Sequence, residues 1–443
     1  MYRCSKCGYI SAKWLGRCPS CSSWDTLVQV DESKEKVVIK DRKPAITPMK
    51  LRDVSGIDLE RIVLTSRSLN ELTGGGLVRA SVILLAGEPG IGKSTFLLSL
   101  AKFVDIPLRI LYVSGEETLY QVADRAKRLG IEDVFFLSTN SLSAIEEILE
   151  DENYDMVIVD SIQTIYSDRL DSSRVGPAQI REVAERLVEI AKSKGIIVFI
   201  AGHVTKGGDI AGPKVLEHLV DVVFYVEGER SGSVRFIKCY KNRFGSTGNV
   251  TVFELTSAGI EVIENPSSFF LEGKCRGIPG SVVSSIVEGS RAFLVEVQAL
   301  VTRALYPQAA RRVSVMYDVR RLLFLLAVME KYMGVNFRDM DIYINIPGGI
   351  MVRDNSCDLA VVTAIFSSYM DKVVPDEVVI FGEVGLGGEV RAVRDIELRL
   401  KEAMSLGKKK AYIPKVSRID RTKFGDMEIR EVENIVNIIN CLF

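Results

Sequence analysis

Eight residues, Gly87-Glu88-Pro89-Gly90-Ile91-Gly92-Lys93-Ser94, restrict what this chain can fold into more tightly than any other stretch. They join the apolar run Val82 to Ala86 to the apolar-periodic run Phe96 to Phe103, which reads as strand, loop, helix. The phosphates of a nucleotide must be met by many N–H donors at short range, so the loop has to be almost free of side chains. Gly87, Gly90 and Gly92 permit that approach and the positive φ it needs. The helix that follows turns its N-terminal N–H groups and dipole toward the anion. Lys93 is placed to reach the β- and γ-phosphates, and the Ser94 hydroxyl to sit on Mg²⁺. The whole stretch is therefore read as a nucleotide-binding phosphate loop.

A chain of 443 residues is too long for one ordinary core and is expected to divide into about three domains. No apolar run is long enough to span a bilayer, and a Cys-rich, charged segment stands where a signal peptide would, so a cytoplasmic location is expected, with no membrane partner. The net charge of −1 excludes a general polyanion binder, and any nucleic-acid contact must come from local clusters of Lys and Arg. Eight cysteines do not imply disulfides here, because four fall within the first 21 residues at metal spacing and four are scattered.

Those four form two pairs, Cys4-x2-Cys7 and Cys18-x2-Cys21, each able to turn two thiolates toward one ion. Together they make a tetrahedral S₄ shell suited to structural Zn²⁺, and residues 1–28 are too few to fold without it. Trp14 and Trp24 are expected to cover this small core, with stacking on nucleic acid as the alternative. Residues 29–55 are charged, poor in aromatics and broken by Pro44 and Pro48, the composition of a linker.

From residue 56 to 265 apolar strands alternate with helical periods, the signature of a parallel sheet covered by helices. Ile110 to Val113 ends in Ser114-Gly115-Glu116-Glu117, Met156 to Val159 ends in Asp160-Ser161, and Ile196 to Ala201 ends in Gly202-His203-Val204-Thr205-Lys206. Ligands gather beyond the carboxyl ends of such strands, so all three endings should converge on the nucleotide. Asp160 fits the acid that holds Mg²⁺ through water, and Glu116 or Glu117 is placed to orient and deprotonate an attacking water. Capping of the following helices is the alternative for each acid. His203 and Lys206 would lie beside the γ-phosphate and signal its presence to the loop Gly207 to Lys214. Lys214 and Arg174, on loops, are candidates for contact with DNA phosphates, against solvated surface charge.

The Cys₄ head, the Gly-Glu-Pro-Gly-Ile-Gly-Lys-Ser-Thr loop ending at Thr95, Val113-Ser114-Gly115-Glu116-Glu117, Gly202-His203-Val204-Thr205-Lys206 and above all Lys241-Asn242-Arg243-Phe244-Gly245 resemble the RadA (Sms) family of bacterial DNA repair proteins, in the same order over the whole chain. The resemblance implies an α/β fold: a RecA-like parallel-sheet P-loop ATPase core with an N-terminal Cys₄ zinc ribbon and a C-terminal α+β Lon-protease-like domain. It implies Zn²⁺, Mg²⁺ and ATP as cofactors, and a homo-hexameric ring on single-stranded DNA. Such a ring extends heteroduplex and moves branches in recombination intermediates, alongside a recombinase of the RecA type. Lys241 and Arg243 would then act on a neighbouring subunit's nucleotide or on DNA, and a Lys-x-Arg pair on a loop after a strand suits a cation acting in trans. Paired acids after the same strand also occur in signalling ATPases resembling KaiC, which would share the motor without DNA.

Residues 266–443 are similar to the proteolytic domain of Lon through Pro347-Gly348-Gly349 and Gly382-Glu383-Val384-Gly385-Leu386. The Lon nucleophile falls on Cys357 here, its small neighbours are gone, and the dyad lysine falls on Glu397, with Lys401 one helical turn further on. A carboxylate cannot reproduce the charge logic of a desolvated lysine, so this half is expected to be proteolytically inactive. Arg303, Arg311, Arg312, Arg320 and Arg321 lie close in sequence, and Arg311 and Arg312 are expected to contact DNA, with helical neighbours on a solvated face as the alternative.

Overall fold

The structure, a computed structural model, describes residues 2–6, 10–11, 13–21, 23–29, 59–171, 173–174, 176–203, 213–228, 232–274, 276–415 and 419–443. The chain divides into two compact units, Met1–Asp58 and Leu59–Phe443.

In the first unit Tyr2–Cys4 is the middle strand of a three-stranded antiparallel sheet, flanked by Ile10–Ser11 and Leu27–Gln29. Its core consists of Cys4, Cys18 and Leu27, with Tyr2 and Cys21 against them. The two tryptophans do not cover it: Trp14 is 54% and Trp24 72% exposed. So few residues enclose only the sulfur cluster and its immediate neighbours, which leaves large rings no interior to enter.

The second unit is built on a nine-stranded sheet. Its strands are β1 (Val82–Gly87), β2 (Ile110–Ser114), β3 (Val134–Ser138), β4 (Met156–Asp160), β5 (Ile197–His203), β6 (Val222–Glu227), β7 (Val234–Asn242), β8 (Val250–Thr256) and β9 (Gly259–Ile263). The order is β9-β8-β7-β6-β1-β5-β4-β2-β3. The six strands from β6 to β3 are parallel, and β7 to β9 extend the sheet antiparallel. All six residues of β1 are buried, because helices cover both faces. Alternation divides its side chains, with Val82, Leu84 and Ala86 entering one core and Ile83 and Leu85 the other. Register then aligns the strand ends. His203 and Val226 both pair with Gly87, and Ser114 pairs with Asp160. The helix after the loop runs Lys93–Ser99 and closes with a 3₁₀ turn, Leu100–Lys102, at the end of the expected apolar period.

The C-terminal half opens on the helix Pro266–Phe270, capped by Asn265. Four strands follow, β10 (Ser281–Glu288), β11 (Arg291–Arg303), β12 (Arg312–Val315) and β13 (Met340–Asn345), in the order β10-β11-β13-β12. A separate parallel sheet joins Val378–Ile380, Lys410–Pro414 and Glu428–Val432. The helices Val319–Met333 and Asp358–Met370 belong to this half. Phe236 of β7 packs on Phe270 and Phe293, so one apolar core runs from the outer strands of the large sheet into this half. Charge joins them too. Lys238 Nζ donates to Glu227 at 2.9 Å and to Glu288 at 2.7 Å. No helix among the described residues is long and apolar enough to cross a membrane.

Candidate active site

The loop between β1 and its helix places Gly90 at φ 77° and Gly92 at φ 110°, a region that side chains avoid. Lys93, only 4% exposed, donates from Nζ to the carbonyls of Gly87 (2.9 Å) and Glu88 (3.0 Å) and lies 3.0 Å from His203 Nδ1. Burial lowers its pKa to about 8, against the opposing pull of Asp160 and Glu116. His203 is lowered as well, chiefly by burial and then by Lys93, so its neutral ring accepts from the ammonium through Nδ1.

Three carboxylates end the neighbouring strands, and the structure separates their surroundings. Asp160 is buried and accepts from the Tyr112 hydroxyl at 2.5 Å on Oδ2. Glu116 accepts from Ser161 Oγ at 2.7 Å and lies 3.7 Å from His203 Nε2, on the Lys93 side. Glu117 turns away into a two-pronged pair with Arg125, at 2.7 and 2.5 Å. Ser114 Oγ accepts from both backbone N–H groups, fixing the turn that sends adjacent side chains in different directions. Glu116→Gln is expected to lower kcat by about 10² to 10³-fold. Glu117→Gln should keep kcat within about fivefold and cost stability on the order of 1 kcal/mol, since its pair is partly exposed. Steady-state kinetics with thermal melts of both variants checks the division.

Lys241 and Arg243 are not beside this loop. Lys241, in β7, donates from Nζ to the carbonyls of Glu217 (2.7 Å) and Val220 (2.8 Å) at the end of the helix Pro213–Leu219. Arg243, just past β7, pairs with Asp221 at 3.0 Å, and Asp221 also accepts from Val82 N at the start of β1. The length of β1, roughly 16 Å at 3.3 Å per residue, therefore separates Arg243 from the loop at the other end. Asn242 and Gly245 of the same segment serve packing. Asn242 Nδ2 donates to Thr73 O at 3.0 Å, and a Cβ on Gly245 would stand 3.0 Å from Gly74 Cα.

Val204, Thr205, Lys206 and the loop through Gly212 lie outside the described residues. Lys214 stands in the helix Pro213–Leu219, not on a loop. Arg174 precedes the helix Pro177–Lys194, its guanidinium 4.3 Å from the Tyr166 ring centre. Arg312 uses its guanidinium on main-chain carbonyls, Phe337 O at 2.6 Å among them, and Arg321 is paired with the buried Asp358. Arg311 donates its backbone N–H to Asp341 at 2.6 Å.

One residue beside the loop escaped the sequence reading. Arg235 of β7 is 4% exposed, and its guanidinium donates to three carbonyls, Ile91 O (3.2 Å), Gly232 O (2.7 Å) and Val234 O (2.9 Å). Holding the Ile91 carbonyl fixes one side of the loop. Its only signal in the sequence is a cation between two apolar residues of a strand. Arg235→Met should raise KM for ATP about tenfold with little change in kcat, read by initial rates across ATP concentrations. Lysine should not restore it, because one ammonium cannot span three carbonyls in that geometry.

In the first unit the sulfurs of Cys4, Cys18 and Cys21 lie within 4.8 Å of one another, and Cys7 lies outside the described residues. Three thiolates so close fit a thiophilic ion such as Zn²⁺. In the C-terminal half Cys357 is wholly buried, its thiol pushed up to about 12 by burial, while Lys401 is exposed and Glu397 pairs with Lys423 at 3.2 Å.

Comparison with known proteins adds three family matches. Residues 47–209 match the AAA domain, residues 2–29 the rubredoxin metal binding domain, and residues 324–443 the Lon protease (S16) C-terminal proteolytic domain. A DNA repair protein RadA from Aquifex aeolicus is 47% identical, covering 100% of this chain and 98% of its own. Another, from Halalkalibacterium halodurans, is 40% identical over 93% of this chain and 92% of its own. Among solved structures, a KaiC-like protein from Pyrococcus horikoshii is 21% identical and covers 46% of this chain and 100% of its own, with a TM-score of 0.39. The cofactors are Zn²⁺ in the ribbon, and ATP with Mg²⁺ in the RecA-like ATPase core. With identity of this order over its full length, the chain belongs to the DNA repair protein RadA family.

Proposed function

We propose that this protein is a cytoplasmic, DNA-dependent ATPase of homologous recombination, a homo-hexameric ring that binds single-stranded DNA and drives heteroduplex extension or branch migration on branched intermediates, alongside a RecA-type recombinase. In this reading residues 1–28 are the zinc ribbon, 29–55 a linker, 56–265 the motor, and 266–443 a Lon-like scaffold without protease chemistry. The observation that carries it is the meeting of Lys93, Glu116, Asp160 and His203 at one end of the parallel strands, in a chain of this family.

In the proposed mechanism Lys93 exchanges its contact with His203 for the β- and γ-phosphates, and the N–H groups from Gly87 to Thr95 hold the remaining phosphate oxygens. Ser94 and, through water, Asp160 would hold Mg²⁺, which would supply charge neutralisation for the transferred phosphoryl group. Glu116, rather than Glu117, takes the proton of the in-line water, oriented by Ser161. His203, released by Lys93, reports the γ-phosphate toward Lys206 and the following loop. Arg243 completes the site of the next subunit, Lys241 anchors the segment that carries it, and Arg174, Lys206, Lys214 and Arg311 face DNA.

Steady-state ATP hydrolysis with and without single-stranded DNA tests the reading. Stimulation is expected; unchanged turnover would favour a signalling ATPase. The lost protease chemistry has its own check. Iodoacetamide should leave Cys357 of the folded chain unlabelled at mildly alkaline pH, and casein should stay intact with ATP present.

A further inference from the structure

The zinc ribbon presents a surface that the ATPase site does not account for. Trp14 and Trp24 are the only tryptophans of the chain, and both are exposed. They stand side by side, since a Cβ placed on Gly16 would lie 3.7 Å from the Trp14 ring and 3.9 Å from the Trp24 ring. Arg17 lies over the Trp24 ring at 5.7 Å, and Arg17 and Trp24 are bridged through their backbones. An exposed indole held in place by a backbone bridge, as Trp24 is, keeps a face available for another flat ring. The surrounding charge selects the partner. Residues 2–29 carry Arg3, Lys6, Lys13 and Arg17 against one carboxylate, Asp25.

We infer that Trp14, Trp24 and Arg17 form a stacking platform on the zinc ribbon for unpaired bases of single-stranded nucleic acid, with the lysines along the backbone phosphates. Stacking on an indole needs no particular base, because every base has a π-face, and cations beside the rings engage the phosphates between stacked bases. A paired duplex offers neither free base face, so the platform distinguishes single from double strands. The inference rests on the DNA reading proposed above.

Because both indoles lie on the ribbon, tryptophan emission of the full-length, zinc-loaded protein reports on this surface alone. Titration with an oligothymidylate should quench it saturably and less steeply as salt rises. The parallel reading is the anisotropy of a dye-labelled copy of the same oligonucleotide. Trp14→Phe leaves Trp24 as the single reporter and should retain quenching. Trp24→Ala should weaken binding about tenfold, and Trp24→Phe should recover part of it. Zinc content, measured by releasing the thiolates, shows that each variant ribbon is folded. Anisotropy that rises without quenching, together with unchanged affinity in zinc-loaded Trp24→Ala, overturns the platform and leaves the DNA reading intact; the surface then belongs to a protein partner. No anisotropy change at all overturns both.

Discussion

Alanine in place of Lys93 is expected to lower ATP hydrolysis by about 10³-fold or more while leaving the nucleotide-free protein folded. The ammonium is buried against two loop carbonyls and a neutral imidazole, without a carboxylate in direct contact among its hydrogen bonds. Such a group is costly in the empty site and gains its return when phosphate arrives. Its folded pKa of about 8 lies below the ordinary 10.5, so the unfolded chain holds that proton more tightly. The penalty is fully present below about pH 8, and stability from this group rises as pH climbs toward 10.5. Lys408 is also lowered to about 8, so the informative quantity is the difference between native and Lys93→Ala melts across that window. Nucleotide phosphates should raise the Lys93 pKa again. ATP binding between pH 8 and 10.5 is then accompanied by proton uptake, seen by calorimetry in buffers of different ionisation enthalpy and absent from Lys93→Ala.

Arg243→Ala is expected to reduce hydrolysis by about 10³-fold through a different route. The side chain stands at the start of β1, a strand's length from its own phosphate loop, so it cannot reach the nucleotide of its own subunit. In the ring proposed above, that end of the sheet would meet the carboxyl end of the next subunit's sheet. Its removal leaves Asp221 accepting from Val82 N, at a cost on the order of 1 kcal/mol because the guanidinium is half-exposed. The variant should therefore fold and bind ATP with near-native affinity, measured with a fluorescent nucleotide. Lys241→Ala should behave otherwise, since Lys241 holds the end of the helix Pro213–Leu219 and its loss loosens that helix before any chemistry is reached.

Much of the ATPase domain was legible because a parallel sheet writes itself plainly. Strands buried on both faces read as unbroken apolar runs, and polar residues at their carboxyl ends are set there by register, as Asp160 opposite Ser114 illustrates. Adjacent residues on a turn are harder. Glu116 and Glu117 are equivalent in sequence, and only the turn held by Ser114 sends one to Ser161 and the other to Arg125. The arginines from Arg303 to Arg321 look like one patch along the chain. Folding distributes them over two strands and a helix, where Arg312 finds main-chain carbonyls and Arg321 finds Asp358. Arg235 carried no motif at all, since its role depends on a loop 144 residues away. The exposed tryptophans went against the usual rule for large rings because a ribbon this small has almost no interior to bury them.

The most direct measurement of a site shared between subunits is ATP hydrolysis, with single-stranded DNA present, by a mixture of Lys93→Ala and Arg243→Ala proteins. Each variant alone should be nearly silent. In mixed rings a Lys93→Ala subunit supplies its intact Arg243 to the complete phosphate loop of an Arg243→Ala neighbour, so the mixture should recover a clear fraction of native turnover. A mixture that stays as silent as its components, while subunit exchange is confirmed by energy transfer between labelled chains, would contradict the shared site.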